Sequence, residues 1–308
     1  MAKVEFLSSV VNPTKIQYEQ LVTRFDPEEG ISWVFLNPEF VPCFDQQLLG
    51  ELRHYHESIE NCGGKIGAGE GVHSIRYMVL ASKTPKVFNL GGQLALFSQL
   101  IRNADREALL HYATMCIDAM ASRVKHCNLP VVTITLIQGD ALGGGFEAAL
   151  TSDIIIAERS SKMGFPEILF NLFPGMGAFS FLARKVGTIQ AEKMILSGKL
   201  YSAEELHEMG LVDVLVEDGL GEEAIYDYVE KQTRRSNGYI ALQKARQRFN
   251  PITYQELMDI TCVWVDAALR LNEKDIKVMD RFVRSQQKLF GETDQAQVAK
   301  ARLAAVSA

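Results

Sequence analysis

Residues 131–150 read VVTITLIQGDALGGGFEAAL, and the succession of residue types within them decides the fold. From Val131 to Ile137 the run is continuous, β-branched and uncharged, the pattern of a strand covered on both faces. Gly143, Gly144 and Gly145 then break the run, and a helix is expected to begin near Phe146. Glycine tolerates backbone angles closed to other residues and lets a ligand approach the main chain. The first amides of a helix lack intrahelical acceptors and sit at the positive end of its dipole. They can therefore hold an anion or a developing oxyanion, with Glu147 close to whatever they hold. A tight turn followed by a surface acid fits the same letters, so this segment alone leaves both readings open.

Working outward, a second β-branched run follows at Asp153 to Ala157, and another lies upstream at Ile75 to Ala81, with Val87-Phe88 after a short turn. Between them Ala104 to His126 has the length of a long helix, closed by Asn128 and Pro130. Strand, crossover helix and parallel strand, repeated, give an α/β fold. At the start, Ile16–Phe25 and Ile31–Asn37 read as strands separated by the turn-prone Asp26 to Gly30, and Phe44–Ile59 reads as a helix capped by Asp45. Beyond Gly175 the pattern is almost wholly helical to about Phe290. The expected division is an α/β core over 1–200, a helical C-terminal region over 201–290, and a polar, Ala-rich tail over 291–308 expected to be mobile.

Composition narrows the class. The 308 residues are 47% hydrophobic and 23% charged, enough for a substantial core, and the net charge of −6 argues against a nucleic-acid binder. No apolar stretch is long enough to cross a bilayer, and the first residues carry no secretory pattern, so membrane insertion and export are not expected. Cys43, Cys62, Cys116, Cys127 and Cys262 are an odd, scattered set without a C-x-x-C pair, as expected of reduced thiols in the cytoplasm. His54 and His56, two apart on a helix, face different ways, and His111, His126 and His207 have no evident partner set. The expectation is no metal and no cofactor, neither nicotinamide nor a Walker-type phosphate loop.

Two further segments bear on chemistry. Glu167 lies among Phe165, Ile168, Leu169 and Phe170, and burial there would raise its pKa toward the range useful for proton exchange. A loop glutamate reaching solvent is the plain alternative. Val87–Phe97, VFNLGGQLALF, repeats the strand, glycine turn and helix, and presents a second backbone N–H at Gly92.

Together these segments resemble the enoyl-CoA hydratase/isomerase superfamily. Its members carry F-x-A-G-x-D, then A-L-G-G-G-x-E, then P-E-I about twenty residues after that glutamate. Here Glu147 and Glu167 stand 167 − 147 = 20 apart, with Ser152 to Ala157 matching the intervening S/C-D-I-x-x-A strand. The resemblance implies the spiral fold of the ClpP/crotonase type. It also implies that Glu147 and Glu167 are the acid/base pair and that Gly92 and Gly144 supply the amides of an oxyanion hole. By likeness to hydratases run in reverse, Glu167 would take the Cα proton and Glu147 would protonate the departing hydroxyl; that division of roles stays open.

Gln93 replaces the usual acid after the first hole residue, and PGMGAFSFL from Pro174 replaces the common hydratase run. With the Asn89 to Gly92 turn, these departures resemble the bacterial diffusible-signal-factor synthases. Such enzymes dehydrate 3-hydroxyacyl-carrier-protein thioesters to cis-2-enoyl products and then release the free fatty acid as a quorum-sensing signal. The resemblance implies an acyl carrier protein or coenzyme A thioester as substrate and a homo-oligomer, trimer or hexamer. It also implies the receiver domain of a membrane sensor kinase as a partner. A conventional enoyl-CoA hydratase or isomerase and a regulatory binding protein are the alternatives. For the acyl chain, Leu142, Met176, Phe179, Leu182, Leu257 and Trp264 are the candidate pocket residues, the last two on a stripe that includes Ile260, Ala268 and Leu271; ordinary core or a subunit contact is the plain alternative for each. Arg184-Lys185 and the helix carrying Lys244, Arg246 and Arg248 are candidates to receive an anionic carrier, a solvated helix face being the plainer reading.

Overall fold

A computed structural model describes residues 12–69 and 71–288; the tail over 291–308 lies outside them. The chain opens with an antiparallel hairpin, β1 (Leu21–Asp26) and β2 (Ile31–Leu36), in which Leu21 pairs with Leu36 and Asp26 with Ile31. The strand expected from Ile16 begins only at Leu21. The segment before it is tied sideways, because the Glu51 carboxylate accepts hydrogen bonds from the amides of Glu19 and Gln20, both at 2.9 Å. Glu51 belongs to α1 (Gln46–Asn61), whose cap Asp45 accepts from Leu48 N at 2.8 Å. A two-stranded ribbon follows, β3 (Lys65–Ala68) with β4 (Gly71–Ser74), unmarked by any alternation in the sequence.

The rest of the core repeats one unit: a long strand, a short strand, then helix. The long strands are β5 (Tyr77–Ser82), β7 (Val132–Ile137) and β9 (Ile154–Glu158). Each is followed within a few residues by a short one, β6 (Lys86–Asn89), β8 (Gly139–Leu142) and β10 (Lys162–Gly164). Helices α2 (Leu94–Arg102) and α3 (Arg106–Val124) follow β6, and α4 (Gly144–Leu150) follows β8. The long strands, with the opening hairpin and a last short strand, β12 (Val214–Val216), form a six-stranded sheet in the order β1-β2-β5-β7-β9-β12, parallel except for β1. The short strands and β11 (Leu200–Ser202) form a second sheet in the order β11-β10-β8-β6. At Gly139 a Cβ would lie 2.0 Å from the Lys86 carbonyl carbon, so only glycine lets β8 cross so close to β6.

Every residue of β7 is buried. One face carries Val132, Ile134 and Leu136, packed with Trp33, Phe35 and Val79 under α8 (Gly221–Thr233). Alternate residues of the neighbouring strands, Val34, Met78 and Ile155 among them, face the cluster that holds α1 and α3. Covering on both faces follows directly from the uncharged β-branched run.

The C-terminal half is less helical than expected. Between α5 (Ala178–Val186), α6 (Thr188–Ser197) and α7 (Ala203–Glu208) and beyond, two three-residue strands, β11 (Leu200–Ser202) and β12 (Val214–Val216), complete the two sheets. Strands this short carry no periodic signal, and main-chain pairing with β10 and β9 defines them. Helices α9 (Ser236–Phe249), α10 (Tyr254–Ala268) and α11 (273–288) follow, α10 packing along α3.

Candidate active site

A cavity of about 260 Å³ opens where the glycine turns after β6 and β8 meet. Gly91 has φ +93°, and a Cβ there would come within 2.9 Å of Leu142 O and 3.1 Å of Gly144 N. A Cβ on Gly144 would come within 3.5 Å of the Gly91 carbonyl carbon, to which Gly92 N is bonded. Gly145 sits against Asn89 O, where a Cβ would be 2.2 Å away. The absence of side chains thus brings the two turns into backbone contact and places both Gly92 and Gly144 on the cavity wall. Among the described residues neither amide has a hydrogen-bond acceptor. The upper turn is braced from behind: Asn89 Oδ1 accepts from Gly91 N at 2.8 Å, and the Tyr112 hydroxyl donates to Phe44 O while accepting from Gln93 N.

Glu147 stands in the first turn of α4, 1% exposed, and its Oε1 accepts from Met176 N at 2.7 Å and Ala178 N at 2.8 Å. Burial pushes its carboxyl up to about 7, partly offset by those two amides, which favour the ionised form. Glu167 follows Pro166 in a short 3₁₀ turn, Pro166–Phe170, ended by Asn171 in the left-handed conformation. Its Oε1 lies against Gly143, where a Cβ would be 2.2 Å away, and its buried Oε2 has no partner. Burial first, and the nearby Glu147 charge second, push it up to about 8.

The remaining wall is mostly apolar: Leu90, Phe97, Leu142, Leu172, Met176 and Trp264 contribute, with Phe170 and Phe282 meeting edge to face at 5.7 Å. The cavity therefore gathers Gly92, Gly144, Glu147, Glu167, Leu142, Met176 and Trp264. It does not gather Phe179, Leu182 or Leu257. α5 meets the site with its first amide, that of Ala178, and turns the side chains of Phe179 and Leu182 into the surrounding core; Leu257 packs behind Gly177. Sequence reasoning missed Tyr112 and Cys116 from α3, and Phe282, Ser285 and Gln286 from α11, all of which line the cavity. No local motif marks them, since they reach it only through helix packing.

The basic candidates lie elsewhere. Arg184 holds Glu256 with two hydrogen bonds of 2.8 Å and donates to the carbonyls of Asn250 and Pro251. Lys185 donates to Ser152 O at 3.1 Å, and with Arg246 it lines a separate depression. His126, expected to lack a partner set, has one: its Nε2 meets Asp153 Oδ2 at 2.8 Å, and Nδ1 meets the Gln247 amide. The sequence offered no sign of this because Asp153 is 27 positions away. Among the described residues no cluster of His, Cys, Asp and Glu is placed to hold a metal, and no helix is long and apolar enough to cross a membrane.

A strand-strand-helix spiral of this kind, with its cavity between successive glycine turns, defines the crotonase fold. The sequence pattern of the enoyl-CoA hydratase/isomerase family matches residues 35–250, and the chain belongs to that family. It is 30% identical over 236 residues to the probable enoyl-CoA hydratase echA8 of Mycobacterium leprae, covering 76% of this chain and 84% of that protein. To the 2,3-dehydroadipyl-CoA hydratase of Escherichia coli it is 36% identical over 126 residues, covering 41% of this chain; the match spans about half of that relative's length, 48%. The crystal structure of an enoyl-CoA hydratase from Bacillus halodurans superposes with a TM-score of 0.69 at 23% identity, over 85% of this chain and 98% of that one.

Proposed function

We propose that this protein is a crotonase-family dehydratase that converts a medium-chain 3-hydroxyacyl thioester to the 2-enoyl thioester and then hydrolyses the thioester to release the free acid. One observation carries the reading: two carboxyls raised by burial and two unpartnered amides share the wall of a mostly apolar cavity. The amides of Gly92 and Gly144 receive the thioester carbonyl, and each such donor is worth about 3 kcal/mol to an enolate transition state. One carboxylate takes the proton from Cα. The C3–O bond then breaks as the enolate collapses, and the other carboxyl gives its proton to the departing hydroxyl, which leaves as water. Hydrolysis reuses the hole: a carboxylate takes a proton from water, the resulting oxygen adds to the carbonyl, and the thiolate leaves and is protonated. The departures at Gln93 and after Pro174 favour a product of the signal-fatty-acid kind over the intermediates of ordinary β-oxidation.

The resting charges favour one assignment of the pair. Two amides favour the ionised form of Glu147, whereas Glu167 has an unpartnered oxygen and is pushed further up by the Glu147 charge, so the shared proton favours Glu167. In the dehydration direction this makes Glu147 the base toward Cα and Glu167 the acid toward the hydroxyl, the reverse of the roles implied by likeness to hydratases. The test incubates the protein with 3-hydroxydodecanoyl carrier protein and with its coenzyme A analogue, identifying any free enoic acid and its geometry by mass spectrometry and NMR. Full turnover by Glu147→Gln or Glu167→Gln overturns the mechanism. Exchange of the Cα proton with deuterated solvent assigns the roles: the variant lacking the base loses exchange, and the variant lacking the acid keeps it without elimination.

A further inference from the structure

Helix α11 has two faces with different tasks. Inward it supplies Phe282 and Gln286 to the cavity wall, and Gln286 Nε2 donates to Leu90 O at 3.0 Å, beside the glycine turn. Outward it carries Lys274, Lys277, Arg281 and Arg284, at spacings of 3, 4 and 3, which place all four on one stripe. All four are exposed, and among the described residues none is in an ion pair. The acids of the same helix are engaged at its sides. Arg102 of α2 pairs with Asp280 at 2.7 Å and Glu273 at 3.5 Å, and Asp275 accepts from Asn171 and from Asn272 N. Arg284 feels Asp280 only at a distance. A chain of net charge −6 thus concentrates four cations on the outer surface of the helix that walls its cavity.

We propose that this stripe is the docking surface for an acidic acyl carrier protein domain, which delivers the thioester to the cavity behind α11. The inference rests on the acyl-thioester reading of that cavity. Its length argues for a protein partner over a nucleotide-bearing carrier: ten residues at 1.5 Å per residue spread the charge over about 15 Å, the scale of an acidic helix. A few clustered phosphates would use only part of it. It also moves the anion-receiving role away from Arg184, whose guanidinium is already held by Glu256.

The experiment compares the wild type with Lys274→Glu/Lys277→Glu/Arg281→Glu/Arg284→Glu on three substrates sharing one acyl group: the carrier-protein thioester, the coenzyme A thioester and the N-acetylcysteamine thioester. Expected is a rise of about tenfold or more in KM for the carrier-protein substrate at low salt, shrinking at high salt, with the N-acetylcysteamine thioester unaffected. An unchanged carrier-protein KM overturns the proposal. So does an equal loss with the coenzyme A thioester, which would make the stripe a phosphate site. Should the fourfold variant fail to fold, Lys277→Glu and Arg281→Glu singly are expected to raise that KM about threefold each. If the wild type turns over none of the three, the proposed function fails. Docking is then read from the affinity for a fluorescently labelled holo carrier protein without its acyl group, which the reversals weaken if the surface is correct and leave unchanged if it is not.

Discussion

Glu147 and Glu167 are both carboxyls that burial has pushed toward neutrality, yet they differ in what they touch. The first accepts two amides and the second leaves Oε2 without a partner. The proposed elimination needs one proton on the pair, so kcat/KM is expected to follow a narrow bell with its maximum between about 7 and 8, as measured by initial rates across pH. Below that range both acids are protonated and no base remains; above it both are ionised and no acid remains. Stability runs the other way. A carboxyl whose folded pKa is raised binds a proton that the unfolded chain has released, so the folded state loses ground as pH rises from the ordinary carboxylate range through about 8. Glu167→Gln is therefore expected to stabilise the protein at pH 8 by about 1–3 kcal/mol and to have little effect near pH 4. Thermal unfolding at the two pH values reads this, and a variant less stable at pH 8 contradicts it.

The glycine turns and the helices behind them show how elements make the site. Gly143 has φ +51°, and any side chain there would strike Glu167 Oε1. Gly143→Ala is expected to leave the spiral folded and to lower kcat by about 100-fold by displacing that carboxyl, checked by steady-state kinetics alongside circular dichroism. This much was legible in the sequence: a strand, three glycines and a glutamate, followed twenty residues later by a second. The opposite wall was not. Tyr112 braces the Gly92 turn from the middle of α3, and Phe282 closes the cavity from α11, each by tertiary packing that no local spacing encodes. Phe282→Ala removes one side of the edge-to-face pair with Phe170 and enlarges the cavity. It should shift preference toward longer acyl chains while costing about 2–4 kcal/mol of stability, read from competition among thioesters of graded length and from chemical denaturation.

Across the whole molecule, the long parallel strands were readable because burial on both faces leaves an uninterrupted β-branched run, as in Val132–Ile137. Of the second sheet only β6 was readable, because β8, β10 and β11 are three or four residues long and exist through pairing with their neighbours. What joins distant parts of the spiral is similarly non-local. Asp153, just before β9, accepts from Thr133 N and Oγ1 in β7 and from His126 beyond α3, and His126 in turn meets Gln247 of α9. Burial alone would raise the Asp153 carboxyl, but the His126 and Thr133 hydrogen bonds outweigh it and hold the pKa below the usual range. A depressed folded pKa stabilises the chain above the unfolded value and loses that contribution as pH falls through the folded one. Asp153→Asn keeps the shape but removes the charge, so it should cost about 2–4 kcal/mol near pH 7. The loss should shrink as pH falls below the ordinary carboxylate range, where the wild-type aspartate also becomes neutral. Because Asp153 does not line the cavity that holds Glu147 and Glu167, the activity of the folded fraction should be preserved. Denaturation measured at neutral and acid pH, with activity normalised to folded protein, separates this from a direct role in chemistry; a variant as stable as the wild type at pH 7 would show that the network joins these elements without stabilising them.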